Sequence, residues 1–451
     1  MAIGGIKNLK ILVVGGGARE HAICDAVHRS KNCELCSVMK NLNPGIKKIA
    51  KDYIQENEMN ISKIVEYAKK QDIHLAIIGP EAPLEAGIVN ELNKAGIKAC
   101  APTKEAARIE TDKEWMRNLL KKHKIPGQLK CETFTDIKKA KKFIEELNCQ
   151  VVLKPIGLTG GKGVKVAGDH FNGINEALEY VKEVINKKIG GRTKILIEEK
   201  AIGEEFTLQA FSDGYTILPL HAVQDHKRLL PGDEGPNTGG MGAYSCSNGL
   251  LPFLSRDEFE EGAAILQKII EALNKENCKY IGAIYGQFML TADGVKVIEI
   301  NARFGDPEAM NVLPLLETDY VDLCQSMING NLNTKKIQLK KKSTVCKYVV
   351  PEGYGVKSMI GEKISVDENS IASTGSRLFY ASVNKENDFV STTSSRSLAV
   401  VGISDNLSSA ESICEKALNY VQGDHIFIRH DIGTPELVEK RVKHINRLRG
   451  I

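Results

Sequence analysis

Three side chains near position 300 have the types and spacing for phosphoryl chemistry. In Ile298-Glu299-Ile300-Asn301-Ala302-Arg303, polar residues alternate with apolar ones. Alternate residues of a β-strand share a face. A carboxylate, an amide oxygen and a guanidinium are therefore expected side by side. Carboxylate and amide oxygens are hard ligands that suit Mg2+. A guanidinium holds a phosphate or acyl phosphate through two parallel hydrogen bonds. The plain alternatives are the outer face of an edge strand, or an Arg303 that only pairs with Asp306 or Glu308 to shape the turn. Flanking Val297, Ile298 and Ile300 favour a strand covered on its other side, and hence a site.

Two glycine runs could cradle anions. Lys154-Pro155-Ile156-Gly157-Leu158-Thr159-Gly160-Gly161-Lys162-Gly163 is not a Walker A loop: no Ser or Thr follows Lys162, and a strand rather than a helix is expected next. A loop between two strands can fold over phosphates and bond them with its amides, with Lys154 as a fixed cation at the strand end. Gly15-Gly16-Gly17-Ala18-Arg19-Glu20-His21 follows a strand and opens a helix, so its amides and the helix dipole favour an anion. A dinucleotide fold is disfavoured. Glu20 replaces the third glycine, and Lys40 stands where an acid would hold an NAD ribose. Gly79-Pro80-Glu81 follows another strand, and Glu81 offers acceptors to sugar hydroxyls. Ile197 to Glu205, acidic at both ends, reads equally as a nucleotide edge or a solvated turn.

These groups need a scaffold. From Leu9 to Ala101, strands at 9–14, 34–39, 75–78 and 98–101 alternate with helices at 19–29, 61–70 and 87–95. That order implies a parallel sheet covered on both faces, with ligands beyond the carboxyl ends of its strands. A charged helical stretch, 103–130, precedes an α+β unit at 131–199 with strands at 131–134, 151–154, 163–167 and 194–198. Residues 204–332 look antiparallel, with a Gly/Pro/Asn-rich loop at Pro231–Gly242. A lysine-rich linker is expected from Asn331 to Ser343. Strands at 343–350, 375–383 and 397–403 and a helix at 408–421 follow. The implied units are 1–106, 107–130 with 200–332, 131–199, and 333–451.

The 451 residues suit about three domains. A net charge of +4, from 61 basic and 57 acidic residues, supplies no field for nucleic acid or a membrane. Residues 1–10 carry no long apolar stretch, so no secretory signal is expected. Eleven scattered cysteines, including a lone Cys33/Cys36 pair, fit reduced thiols and a cytoplasmic setting.

The Lys154 loop, the Glu198–Glu205 segment and the Glu299/Asn301 pair, in this order, resemble the ATP-grasp superfamily. Gly17–His21, Gly79–Leu84, Gln224-Asp225-His226-Lys227-Arg228, GPNTGGMGAY at Gly235–Tyr244 and RFGDPE at Arg303–Glu308 narrow the resemblance to the phosphoribosylamine–glycine ligase family. It runs from about residue 10 to 433. The resemblance implies a mixed α/β and α+β multidomain chain: a Rossmann-like N-terminal domain, a two-part ATP-grasp whose 131–199 lid closes over ATP, and a small C-terminal α+β domain. It also implies ligation of glycine to 5-phosphoribosylamine with ATP and Mg2+ or Mn2+, in a monomer or weak homodimer. Another ATP-grasp ligase acting on a different ribonucleotide is the alternative.

The same resemblance distributes roles. Lys154, Gly157, Gly160, Gly161, Lys162 and Gly163 would hold phosphates. Glu198, Glu199 and Ala201 would meet adenine, and Glu205 the ribose. Glu299 and Asn301 would hold metal, with Gln287 where relatives often carry a third acid. Gly17, Arg19, Glu20, Gly79, Pro80, Glu81, Asn237, Gly240 and Asp306 would face substrate. Arg303, Lys154, Asp225 and Lys227 would carry the chemistry.

Overall fold

A computed structural model describes residues 8–158, 163–387 and 389–451. Its first unit grows from the apolar run Leu9–Val14, which pairs in parallel with Cys33–Met39 on one side and Leu75–Ile78 on the other. The sheet order is Asp52–Gln55, Cys33–Met39, Leu9–Val14, Leu75–Ile78, Lys98–Ala99. The chain reverses its winding direction between Leu9–Val14 and Leu75–Ile78, and a crevice opens beyond their carboxyl ends. Two elements here carry little sequence signal. Asp52–Gln55 is a short, polar, half-buried edge strand. Pro44–Ile49 is a six-residue helix held by Asn43, whose side chain accepts from the amides of Gly45 and Ile46.

Residues 131–199 form the expected α+β unit. Its antiparallel sheet runs Cys131–Phe134, Ile195–Glu199, Val151–Pro155, Lys165–Val166, and Ile137–Glu146 and Ile174–Lys187 are its helices. It has its own apolar core, including Phe134, Phe143, Leu153, Val181 and Ile197. The strand expected at 163–167 is only Lys165–Val166.

The third sheet crosses the boundary expected at 332. Gly294–Asn301, Gly282–Thr291, Glu204–Ser212, Ile217–Asp225 and Gly242–Ser245 continue through Ser343–Pro351 and Leu398–Ser404 to Arg377–Tyr380. The main-chain bonds between Gly242–Ser245 and Ser343–Pro351 join the C-terminal unit to the central one. The lysine-rich stretch is laid against the body: the Leu332 amide donates to Asp213 Oδ2 at 2.9 Å, and Leu316 bridges to Leu339. The strand expected at 375–383 divides into Arg377–Tyr380 and Val383–Lys385. A last helix, Pro435–Arg449, is absent from the sequence reading. Thr434 caps it, and Arg441 and His444 tie it to Glu204 at 3.0 and 2.5 Å. Among the described residues, no helix is long and apolar enough to cross a membrane.

His21 joins the first unit to the last. Its Nδ1 accepts the Tyr380 amide at 2.9 Å, and its ring stacks on Tyr380. A Cβ at Gly45 would lie 1.9 Å from His21 Cε1, so position 45 must lack a side chain. Burial lowers the imidazole from 6.5 to about 4. Protonation then favours the unfolded chain, where the ring keeps its ordinary value. The contribution is intact above pH 6.5 and is lost as pH falls toward 4. The full loss is about 3 kcal/mol, at about 1.4 kcal/mol per unit. Urea unfolding at pH 7 and pH 4.5 checks this: His21→Gln should lose less stability between the two than the unaltered chain, and equal losses would refute it.

Candidate active site

The crevice at the first sheet is lined by Gly15, Gly16, Gly17, Glu20, Met59, Pro80 and Pro83 and encloses about 220 Å3. Its glycines make room for Glu20. A Cβ at Gly79 would lie 2.1 Å from Glu20 Oε1, and one at Gly15, where φ is +120°, would lie 2.5 Å from Glu20 Cγ. Glu20 Oε2 accepts the Gly17 amide at 2.8 Å, and Oε1 accepts Arg19 Nε at 2.7 Å. This corrects the local reading of an open anion site on the Gly17 amide, because the carboxylate of Glu20 caps that helix start. What faces the crevice is the buried carboxylate of Glu20, itself held by Arg19, together with Glu58. Carboxylate oxygens suit hydroxyl and amine recognition.

Arg303 reaches Glu81, next to this crevice, from the antiparallel sheet. The strand ends at Asn301, so Glu299 and Asn301 share a face as expected, while Arg303 lies in the turn beyond. Its Nε donates to Glu81 Oε2 at 3.0 Å and its Nη1 to Phe304 O at 3.1 Å. Its Nη2 pairs with Glu110 Oε1 at 2.9 Å and lies 3.5 Å from Asn301 Oδ1. The fork is thus committed to Glu81 and Glu110, not to Asp306 or Glu308. Burial raises Glu81, but Arg303 and Arg19 outweigh it and hold the carboxyl down at about 2. Glu110 is buried more deeply; Arg303 opposes the shift without cancelling it, and its carboxyl is pushed up to about 7. Its Oε2 also accepts the Ala302 amide at 2.7 Å, which fixes the start of the turn.

On the other side of the Glu299 face lies a buried cation cluster. Lys154 Nζ is 2.7 Å from Glu198 Oε2 and donates to Ile298 O at 3.2 Å. Arg117 grips the same carboxylate with both arms, at 2.6 and 3.0 Å. Burial raises Glu198, but Arg117 and Lys154 outweigh it and hold it at about 2. Both Glu198 oxygens are therefore engaged by protein cations, and its strand is paired on both sides, opposite Cys131 and Val152. Glu199 accepts the Lys130 amide at 2.9 Å, and Ala201 lies in the connection between Ile195–Glu199 and Glu204–Ser212. Glu205 Oε2 receives Lys227 Nζ at 2.9 Å and Gln287 Nε2 at 2.7 Å. Gly157 has no room for a side chain, since a Cβ there would lie 2.2 Å from Gly190 O. Gly163 O accepts the Tyr180 hydroxyl at 2.6 Å. Gly160, Gly161 and Lys162 lie outside the described residues.

Gln287 pairs with Glu299 across adjacent strands, and Asn301 Nδ2 lies 3.3 Å from Glu299 Oε1. Burial raises Glu299, but Lys227, Lys154 and Lys113 outweigh it, so its carboxylate stays charged. Among the described residues, no three His, Cys, Asp or Glu side chains gather as a self-sufficient metal cage. One ionised carboxylate beside amide oxygens fits a cation such as Mg2+, which keeps several waters and completes its shell with substrate phosphates.

A second acidic pocket lies under the glycine-rich loop. Asp225 Oδ1 and Glu308 Oε1 are buried without a hydrogen-bond partner among the described residues. Burial raises both carboxyls, and the charge of Glu308 adds to the rise of Asp225. Gly240, at φ +105°, covers Asp225 so closely that a Cβ would lie 2.7 Å from Oδ1. Asn237 ends the strand Glu234–Asn237, opposite Arg228. Burial opposes the charge of Lys227, but Glu205 and Asp225 outweigh it and keep the amine protonated. Asp306 is spoken for: Tyr348 donates to Oδ1 at 2.5 Å and Arg396 Nη2 lies 3.0 Å from Oδ2.

The structure thus brings together the expected groups from Gly17, Glu81, Lys154, Glu205, Asp225, Glu299 and Arg303. It adds Glu110, Lys113, Arg117, Glu308, Tyr348 and Arg396. The first three sit in the charged helical stretch 103–130, where nothing in the sequence singled them out. Glu308 stood inside the RFGDPE string with no periodicity to single it out. Arg396 lies in a Ser/Thr-rich turn and carried no signal.

Comparison with known proteins identifies the family. Three family models match in succession: the phosphoribosylglycinamide synthetase N domain over residues 9–110, its ATP-grasp (A) domain over 111–309 and its C domain over 344–435. A phosphoribosylamine–glycine ligase from Methanothermobacter thermautotrophicus is 50% identical over 442 residues, covering 98% of this chain and 100% of the relative. The crystal structure of the phosphoribosylamine–glycine ligase from Thermotoga maritima has a TM-score of 0.80 at 23% identity, covering 94% of this chain and 100% of that one. The biotin carboxylase domain of a Hydrogenobacter thermophilus 2-oxoglutarate carboxylase, solved with MgADP, has a TM-score of 0.73 at 16% identity, covering 98% and 95%. The chain belongs to the phosphoribosylglycinamide synthetase family.

Proposed function

We propose that this chain joins glycine to 5-phosphoribosylamine at the expense of ATP, giving glycinamide ribonucleotide, ADP and phosphate. The observation that carries it is the shared arginine. Arg303 ties Glu81 of the N-terminal crevice to the Asn301 turn of the ATP-grasp sheet, so an amine held in the crevice and an acyl phosphate formed beside Glu299 meet at one point.

Glycine's carboxylate is a poor electrophile near neutral pH. Its oxygen attacks the γ-phosphorus of ATP, the bond to ADP breaks, and glycyl phosphate forms. The amine nitrogen of phosphoribosylamine then attacks the acyl carbon. The carbon–oxygen bond to phosphate breaks, and the new amide nitrogen loses a proton. The protein's contribution is positioning and charge stabilisation. Lys154, set by Glu198, faces the transferring phosphoryl group with the loop from Gly157 to Gly163. Glu205 takes the ribose, and the Ala201 backbone the adenine. Glu299, Asn301 and the Gln287 amide oxygen would hold Mg2+ or Mn2+, which would neutralise phosphate charge. Asp225 and Glu308 receive glycine's ammonium, whose charge compensates their buried carboxylates. Arg19, Glu20, Glu81 and the Gly79-Pro80 turn hold the ribosylamine. The unit 131–199 closes as a lid, and the setting is cytoplasmic.

Phosphate release from ATP tests this, with glycine and freshly made phosphoribosylamine omitted in turn. Full release should need both; release supported equally by another ribonucleotide amine would point to a different ATP-grasp ligase. Glu299→Gln should lower kcat by roughly 10²–10³ and leave metal-free nucleotide binding near normal. Wild-type turnover of that variant at limiting Mg2+ would remove Glu299 from the site.

A further inference from the structure

The C-terminal unit reaches into the site through one side chain. Arg396 lies in the turn before Leu398–Ser404, its side chain only 13% exposed. Its Nη1 donates to Gly239 O, to Gly240 O at 3.1 Å and to Asp306 O at 3.0 Å. Its Nη2 pairs with Asp306 Oδ2 at 3.0 Å. The guanidinium lies over the Tyr348 ring at 4.4 Å, and the Tyr348 hydroxyl donates to the other oxygen of Asp306 at 2.5 Å. These contacts occupy both outer nitrogens with protein acceptors, and both Asp306 oxygens are occupied too.

What they fasten is the roof over Asp225. The Gly240 Cα is so placed that an added Cβ would lie 2.7 Å from Asp225 Oδ1, 2.8 Å from Pro307 Cδ and 3.3 Å from Arg396 Nη1. The Gly239–Gly240 turn and the Asp306–Pro307 turn come from segments more than sixty residues apart. Their carbonyls point at one cation. Without it, three carbonyl dipoles and a carboxylate would face one another at close range, and the two turns would separate.

We propose that Arg396, braced by Tyr348, is a positioning residue of the ligase reaction: it clamps the Gly239–Gly240 and Asp306–Pro307 turns over Asp225 and so sets where the amino group of glycine is held. Asp306 is then part of this clamp. The inference rests on the function proposed above and assigns to the C-terminal unit a share in glycine selection.

Steady-state kinetics on the full chain test it, with ADP binding and thermal melting measured on the same preparations. Lysine keeps the charge but cannot serve several acceptors in one plane. R396K should lower kcat/KM for glycine by about 10²-fold, the scale of a small misplacement. KM for ATP and the affinity for ADP should stay near those of the unaltered chain. R396A should be worse than R396K, and Y348F, which removes one hydrogen bond, should raise the glycine KM by about threefold. If R396K and R396A fail to fold, Y348F decides. A folded R396K or Y348F with unaltered glycine parameters overturns the proposal, as does an equal loss for glycine and ATP. An unaltered chain that releases no phosphate with glycine and phosphoribosylamine would instead overturn the functional reading.

Discussion

Lys154→Met is expected to lower kcat by roughly 10²–10³, the cost of one preorganised electrostatic contact at a developing charge, while the chain still folds. The argument turns on how Glu198 is shared. Its carboxylate is 1% exposed and meets two cations: Arg117 with two arms and Lys154 with one. Removing the lysine leaves Glu198 bonded to the bidentate arginine, so the buried charge keeps its stronger partner. Removing Arg117 instead breaks the better pair, and loss of one partner of a buried pair costs about 3–5 kcal/mol. The two variants should therefore part. Lys154→Met should be the catalytic lesion with a modest fall in melting temperature. Arg117→Met should be the stability lesion, with kcat reduced less in the folded fraction. Phosphate release and melting curves on both preparations decide. A stable Lys154→Met with wild-type kcat would reduce Lys154 to a structural counter-ion.

Arg303→Lys is the second large effect, and the structure changes its rationale. A free fork aimed at the phosphoryl group would lose rate without losing stability. The observed fork is occupied by Glu81, Glu110 and Phe304 O. A lysine has a single nitrogen head and cannot span Glu81 and Glu110 together. Glu110, already raised to about 7 by burial against the pull of Arg303, would take up a proton. Two results should appear together. Melting temperature should fall, because a buried carboxyl loses its partner. The kcat/KM for the ribosylamine should fall by about 10²-fold, because Glu81 is no longer registered against the Asn301 turn. ATP affinity should change little, since Lys154, Glu198 and Glu205 stay in place. A fall in kcat alone, with unchanged melting temperature, would restore the free-fork reading. Equal losses for ATP and the ribosylamine would show a general loss of folding instead.

Much of this protein was legible in the chain because it is local. The parallel sheet follows from apolar runs of four to seven residues alternating with helical periods, and Leu9–Val14, Ile61–Lys70 and Leu75–Ile78 appear where those periods place them. The Glu299/Asn301 face follows from strand geometry alone. The glycine positions of the crevice follow from close approach, here to Glu20. What was not legible has a common physical cause. Asp52–Gln55 is too short and too polar to announce a strand, and it exists because Cys33–Met39 offers it a hydrogen-bonding edge. Arg303 left the strand because Glu110 draws the Ala302 amide and starts a turn.

The sequence by itself determined the order of the glycine loops, lysines and acids, and with that order the class of chemistry, because residue type and near spacing decide which atoms can meet within one loop or strand. Only the tertiary structure decided which charges neutralise which. Glu198 belongs to Arg117, Glu81 to Arg303 and Asp306 to Arg396, across gaps of 81, 222 and 90 residues. Such pairings are set by the packing of separate units. In a buried site each carboxylate takes the cation that folding leaves beside it, and no pattern along the chain encodes that choice.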